Sequence, residues 1–156
     1  MRWFVTKVCA YLMFAALSGA SGERVPAMDV NQDIRVAHQS ILEARSERAR
    51  AAEMRGLVRM LTGFDRDHVL RVDDESVDRL AMLLETDGDV GRFYGALALS
   101  AVACRARNAL PALREALTQS EPIRSDFEPL VLSPSVSPHE ELEGAIAAIE
   151  TTRPCF

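Results

Sequence analysis

Ile34, Ala37, Ile41 and Ala44 share one face of a helix, and Met54, Leu57, Val58 and Leu61 share another, roughly 130° around the axis from the first. Residues 31–61 contain no proline, and Gly56 is their only glycine, so helix is the expected state throughout. The displaced apolar face predicts a bend or short break in the stretch "ARSERA", with Ser46 as the N-cap of the second piece. One long helix touching two partners on different sides is the other solution. Thr62-Gly63 closes the segment, and Phe64–Ser76 reads as a polar connection. Val77, Leu80, Ala81 and Leu84 then fall at i, i+3, i+4 and i+7, the spacing of an amphipathic helix. Asp73, Asp74 and Glu75 stand where anions favour a helix start.

After the turn "ETDGD", a further helix is expected from Asp89 to Ala103. Its stretch "FYGALALSAVAC", Phe93 to Cys104, carries no charge. It is apolar nearly all round, so it must be covered on more than one side, and it is too short to cross a bilayer. Gly91 and Gly95, four apart, allow a neighbour's backbone to approach closely. "CRARN" reads as a charged turn. "ALPALREALTQ" predicts a helix with Leu110, Leu113, Ala116 and Leu117 inward and Pro111 in its first turn, where a missing N–H costs nothing. Pro122, Pro129 and Pro134 exclude a long helix over 120–137. Ile123, Phe127, Leu130, Val131, Leu132 and Val136 are nonetheless too apolar for a solvated linker, so a proline-rich ordered loop lying against the helices is expected. Ser137-Pro138-His139-Glu140 has the form of a capping box opening a last helix. Leu142, Ala145, Ile146 and Ile149 form its inner stripe, and Arg153-Pro154 stops it. The expected fold is all-α, a compact stack of antiparallel helix hairpins.

Within this pattern, Ser76 to Gln119 resembles a HEAT or armadillo-like repeat. The matching positions are Leu80, Leu83 and Leu84 closing a first helix, Asp89, Val90 and Arg92 opening a second, Ala96 and Leu97 within it, and Leu110, Pro111, Leu113 and Leu117 opening the next unit. "CRARN" is longer than the usual turn of that family, residues 31–61 match only loosely, and the proline-rich segment interrupts the following pair. The resemblance implies a scaffold that presents a surface of stacked helix pairs to another protein.

The first residues stand apart. Arg2 and Lys7 precede the short apolar run "VCAYLMFAAL", and "SGASG" follows, the layout of a secretory signal peptide over residues 1–20 with cleavage after Ala20 or close beyond it. An uncleaved anchor is the alternative, disfavoured by a run well short of the ~20 residues that span a bilayer. Residues 21–30 read as a linker and residues 31–156 as the folded domain. The chain is thus expected to be periplasmic or secreted, without a stable membrane span once cleaved. Removing Arg2 and Lys7 takes the formal net charge from -5 to -7, because residues 1–20 hold no acidic residue. An acidic domain argues against nucleic-acid binding. Two cysteines remain, Cys104 and Cys155, and an even count in an exported chain suggests one disulfide between them, two unpaired thiols being the alternative.

Candidate chemistry is sparse. No histidine stands in a metal-ligand spacing, no glycine-rich phosphate loop occurs, and Ser100 and Ser133 have no glycine-elbow context. No cofactor is expected. Asp65, Asp67 and His68 make the best cluster for a metal or an acid–base pair, and a solvated connection explains the same residues. Arg45, Arg48, Arg55 and Arg59 project within about 80° of one another on a continuous helix. They are candidates for a partner-binding face, or for a solvated face paired with Glu43, Glu47 and Glu53. The expectation is an exported, non-catalytic module that binds another protein, in its sharper form an inhibitor or immunity-type protein acting on an envelope toxin or hydrolase. The alternative is a small envelope enzyme or metal-binding protein using Asp65, Asp67 and His68.

Overall fold

The computed structural model describes residues 29–120 and 137–155. Among these residues seven α-helices pack against one another: α1 Val30–Glu43, α2 Glu47–Thr62, α3 Arg66–Leu70, α4 Asp74–Met82, α5 Asp89–Ala101, α6 Leu110–Gln119 and α7 Pro138–Thr151. Two 3-10 turns, Leu83–Glu85 and Ala106–Ala109, complete the described elements, among which there is no strand. No described helix is long and apolar enough to cross a membrane. The expected signal peptide and the proline-rich loop lie outside the described residues, except Ser120 and Ser137, which bound the loop.

The expected break follows Glu43. Ala44 leaves the helix with extended backbone, and the Ser46 hydroxyl accepts the Ala49 N–H at 3.2 Å. A serine cap stabilises a helix start by about 1 kcal/mol. With the chain re-aimed, Ile34 and Ile41 from α1 and Met54, Leu57 and Leu61 from α2 enter one core. Asp29 and Val30, read from the sequence as the end of the linker, take part in the fold. Asp29 caps α1, and Val30 is buried against the core. Gly63 does end α2, but in ordinary right-handed backbone, so its conformational freedom is unused.

The polar connection 64–76 is not without structure. The Asp65 carboxylate accepts the His68 N–H, which supports the single turn α3, and Val72 beyond it is completely buried. Asn31 fastens this region to the start of α1. Its amide donates to the Arg71 carbonyl at 2.9 Å, and its carbonyl oxygen accepts the Asp73 N–H and the Ser76 hydroxyl. "CRARN" is likewise more than a charged turn. Ala106 is fully buried, and the Arg105 guanidinium donates to the Val72 carbonyl at 2.8 Å.

Helix α5 is the centre. It packs against α2, α4, α7 and the turn Leu83–Glu85, and Gly91, Gly95, Ala96, Ala98 and Leu99 are buried. The two glycines explain how close the turn lies. A Cβ at Gly91 would overlap the Thr86 and Leu83 carbonyl oxygens, and one at Gly95 would stand 2.8 Å from Leu84 Cδ2. The chain enters α5 through Asp87 and Gly88, both at φ 56°, a conformation that an aspartate tolerates better than most residues and a glycine adopts freely.

Helix α7 covers the other flank of α5 with Leu142, Ala145 and Ile149. Its Ser137 cap accepts the His139 N–H at 3.2 Å rather than that of Glu140, so the reciprocal capping box is not formed. Past its end, the Cys155 N–H donates to the Cys104 carbonyl at 3.2 Å. The two cysteine Cα atoms are 5.2 Å apart, with the sulfurs at disulfide distance.

Candidate interaction face

Helix α2 turns Met54, Leu57 and Leu61 inward, which fixes what it turns outward. Arg48, Arg55 and Arg59, at i, i+7 and i+11, lie within about 40° of one another. All three are exposed. Arg45 stands in the connection before the helix, also exposed, so the break that allows the core to form removes it from the helical face. Among the described residues none of these four arginines lies within ion-pair distance of a carboxylate, so the pairing with Glu43, Glu47 and Glu53 is not formed. Arg55 instead donates from Nε to the Tyr94 hydroxyl of α5 at 3.2 Å. That hydrogen bond holds the Arg55 guanidinium above its ordinary pKa. Tyr94 in turn packs edge-on against Phe93, ring centroids 5.1 Å apart. The face is therefore a row of guanidiniums with one tyrosine fixed beside its centre. Exposed guanidiniums can meet carboxylates through paired N–H donors.

Arg50, the remaining arginine within α2, has a structural part: it pairs with the Asp87 carboxylate. Periodicity places it off the outward row, and nothing local reveals its partner 37 positions away.

Asp65, Asp67 and His68 occupy the start of α3. The Asp65 carboxylate receives the His68 N–H at 2.9 Å and contacts the ring Nδ1 at 2.6 Å. These hydrogen bonds, the backbone one first, hold Asp65 below the usual carboxylate pKa. The His68 ring stacks on Phe64. No group of three or more histidine, cysteine, aspartate or glutamate side chains among the described residues converges as a metal site would. Capping accounts for the orientation of Asp65.

A second polar group joins α6 to α7. His139 Nδ1 lies 3.1 Å from the Ser120 hydroxyl and 3.3 Å from its carbonyl oxygen, while Nε2 stands 3.7 Å from the Glu143 carboxylate. Serine, histidine and glutamate together suggest a nucleophile with its base. Ser120 is buried, however, and its hydroxyl lies 3.0 Å from the Leu117 carbonyl at the end of α6. The histidine thus ties a helix end to the following helix start. His38, on α1, is buried with Nε2 unpaired among the described residues. Burial first, and the Arg79 charge second, lower its pKa.

Compared with family models, curated proteins and solved structures, the chain finds no match in any of the three.

Proposed function

We propose that the chain is an exported, non-catalytic module that binds another protein of the cell envelope, and that the arginine row of α2 is its contact. The observation that carries this reading is the set Arg48, Arg55 and Arg59. They are exposed on one face and free of internal ion pairs among the described residues, in a chain whose net charge is -5. An acidic protein that keeps a basic row unpaired is suited to an acidic partner, since complementary potentials speed encounter and select among partners. Arginine and tyrosine side by side match the composition of binding hot spots. In the HEAT-like reading of Ser76 to Gln119, stacked helix pairs offer a surface rather than a catalytic cleft. The cysteine pair at disulfide distance suits an oxidising compartment. An inhibitor or immunity-type role against an envelope toxin or hydrolase fits these features.

The test is affinity capture from envelope extracts with the wild-type chain and with the triple variant R48E/R55E/R59E. A partner retained by the first and lost by the second, at equal helicity by circular dichroism, is the expected result. A partner held equally by both chains overturns the assignment of the contact to α2.

A further inference from the structure

A concave surface on another side of the fold lies outside this account. A groove of about 350 Å³ opens where the end of α5 meets the chain's tail. Val69, Ala101 and Ala103 line it together with Cys104 and Cys155, and Arg66 and Arg153 contribute the guanidiniums. Among the described residues no carboxylate lines it. Asp65, beside Arg66 in sequence, is engaged with the start of α3 and the His68 ring. Arg66 and Arg153 are exposed, and neither makes an ion pair among the described residues. The neighbouring Arg105, by contrast, is used internally, by the Val72 carbonyl and by Asp74 at 3.7 Å.

An apolar floor between two cations that make no ion pair among the described residues has a definite complement: an apolar side chain flanked by carboxylates. The floor removes apolar area from water, and the arginines meet the acids as planar forks. We infer that this groove receives an acidic partner segment, anchored by an apolar side chain against the Cys104–Cys155 pair and by carboxylates on Arg66 and Arg153. The inference rests on the protein-binding reading above and names the chemistry of its partner.

The test uses the full chain and a labelled synthetic peptide, Glu-Asp-Leu-Phe-Glu-Asp, with Lys-Lys-Leu-Phe-Lys-Lys and Glu-Asp-Ser-Ser-Glu-Asp as controls. Fluorescence anisotropy should show binding of the first alone, weakened about tenfold by R66E/R153E. Amide shifts in NMR spectra should centre on Val69, Ala101, Ala103 and Cys104. Binding lost in R48E/R59E but untouched by R66E/R153E overturns the groove and leaves the α2 reading standing. Equal binding by every variant, or no binding of the acidic apolar peptide, overturns the groove. In that case the capture comparison of wild type with the α2 triple variant still decides the α2 reading separately. Contacts in the free protein between the Phe127 ring and the Val69 methyls would assign the groove to the chain's own segment and likewise overturn the inference.

Discussion

The guanidinium of Arg50 grips the carboxylate of Asp87, 37 positions along the chain, and also donates to the Ala44 carbonyl at 3.2 Å. One side chain thus secures the break between α1 and α2 and the left-handed turn that launches α5. The Asp87 side chain is 13% exposed, and its second oxygen has no partner among the described residues.

Removing the arginine should therefore leave a largely desolvated charge without compensation. R50A is expected to lose about 2 kcal/mol in urea denaturation, between the values for exposed and for fully buried pairs. D87N keeps a residue type that tolerates the left-handed backbone. The double variant R50A/D87N should lose less than the sum of the two single losses, by at least ~0.5 kcal/mol. Strict additivity would mean that the pair contributes nothing as a pair.

The two buried glycines of α5 should differ in what they tolerate. At Gly91 the obstacle is backbone, the carbonyl oxygens of Thr86 and Leu83, which cannot retreat without moving the turn. At Gly95 it is chiefly the Leu84 side chain, whose Cδ2 can rotate away, with Leu84 N at 3.1 Å behind it. G91A should cost about 3 kcal/mol or more, and G95A about 1–2 kcal/mol, within the range of overpacking and strain. Thermal denaturation ranks them, and the reverse order would contradict the close packing of the turn on α5.

His38 gives stability a pH dependence of known sign. Its folded pKa lies below the ordinary histidine value of 6.5, through burial and the Arg79 charge. Arg79 itself pairs with Glu75 at 2.6 Å. The unfolded chain binds the proton more readily, so the contribution is full above pH 6.5 and is lost as pH falls through the lower folded value. H38L removes an unpaired buried nitrogen in exchange for an apolar group of similar size, so it should be neutral or stabilising at pH 7. It should also flatten the decline of the unfolding midpoint just below pH 6.5. An unchanged slope there would show that His38 does not titrate differently on folding.

The cysteine pair predicts a cross-link across 51 positions. Non-reducing peptide mapping of protein from an oxidising compartment should recover Cys104 joined to Cys155. Reduction should lower stability by about 4 kcal/mol on the chain-entropy account. Free thiols at both positions would refute the link.

Much of this fold was readable from local pattern. The break at Ser46 followed from two apolar stripes that no straight helix aligns, and the close approach at Gly91 and Gly95 from two glycines in an otherwise uninterrupted apolar helix. What escaped the sequence depends on partners far away along the chain. Asn31 looks like an ordinary polar residue near a helix start, yet it meets Arg71, Asp73 and Ser76, 40 to 45 positions later. The turn α3 rests on an Asp65 cap that reads equally well as a solvated acid. Val72 is buried by its surroundings, although its sequence neighbours are Arg71 and Asp73. The candidate face was partly legible for the same reason: Arg48, Arg55 and Arg59 obey one helix, while Arg45 precedes it. The tyrosine beside them comes from α5, which no spacing along α2 could reveal.

Because α7 lies over one flank of α5, the order of synthesis matters. At ~5–20 residues per second, the roughly 50 residues from the end of α5 to the end of α7 take about 3–10 seconds to emerge from a ribosome. During that interval the nascent chain lacks the cover that Leu142, Ala145 and Ile149 give this flank. It therefore has to be shielded by a chaperone, or kept unfolded until its last helix is made, and truncation before Pro138 should yield aggregates rather than a smaller folded protein.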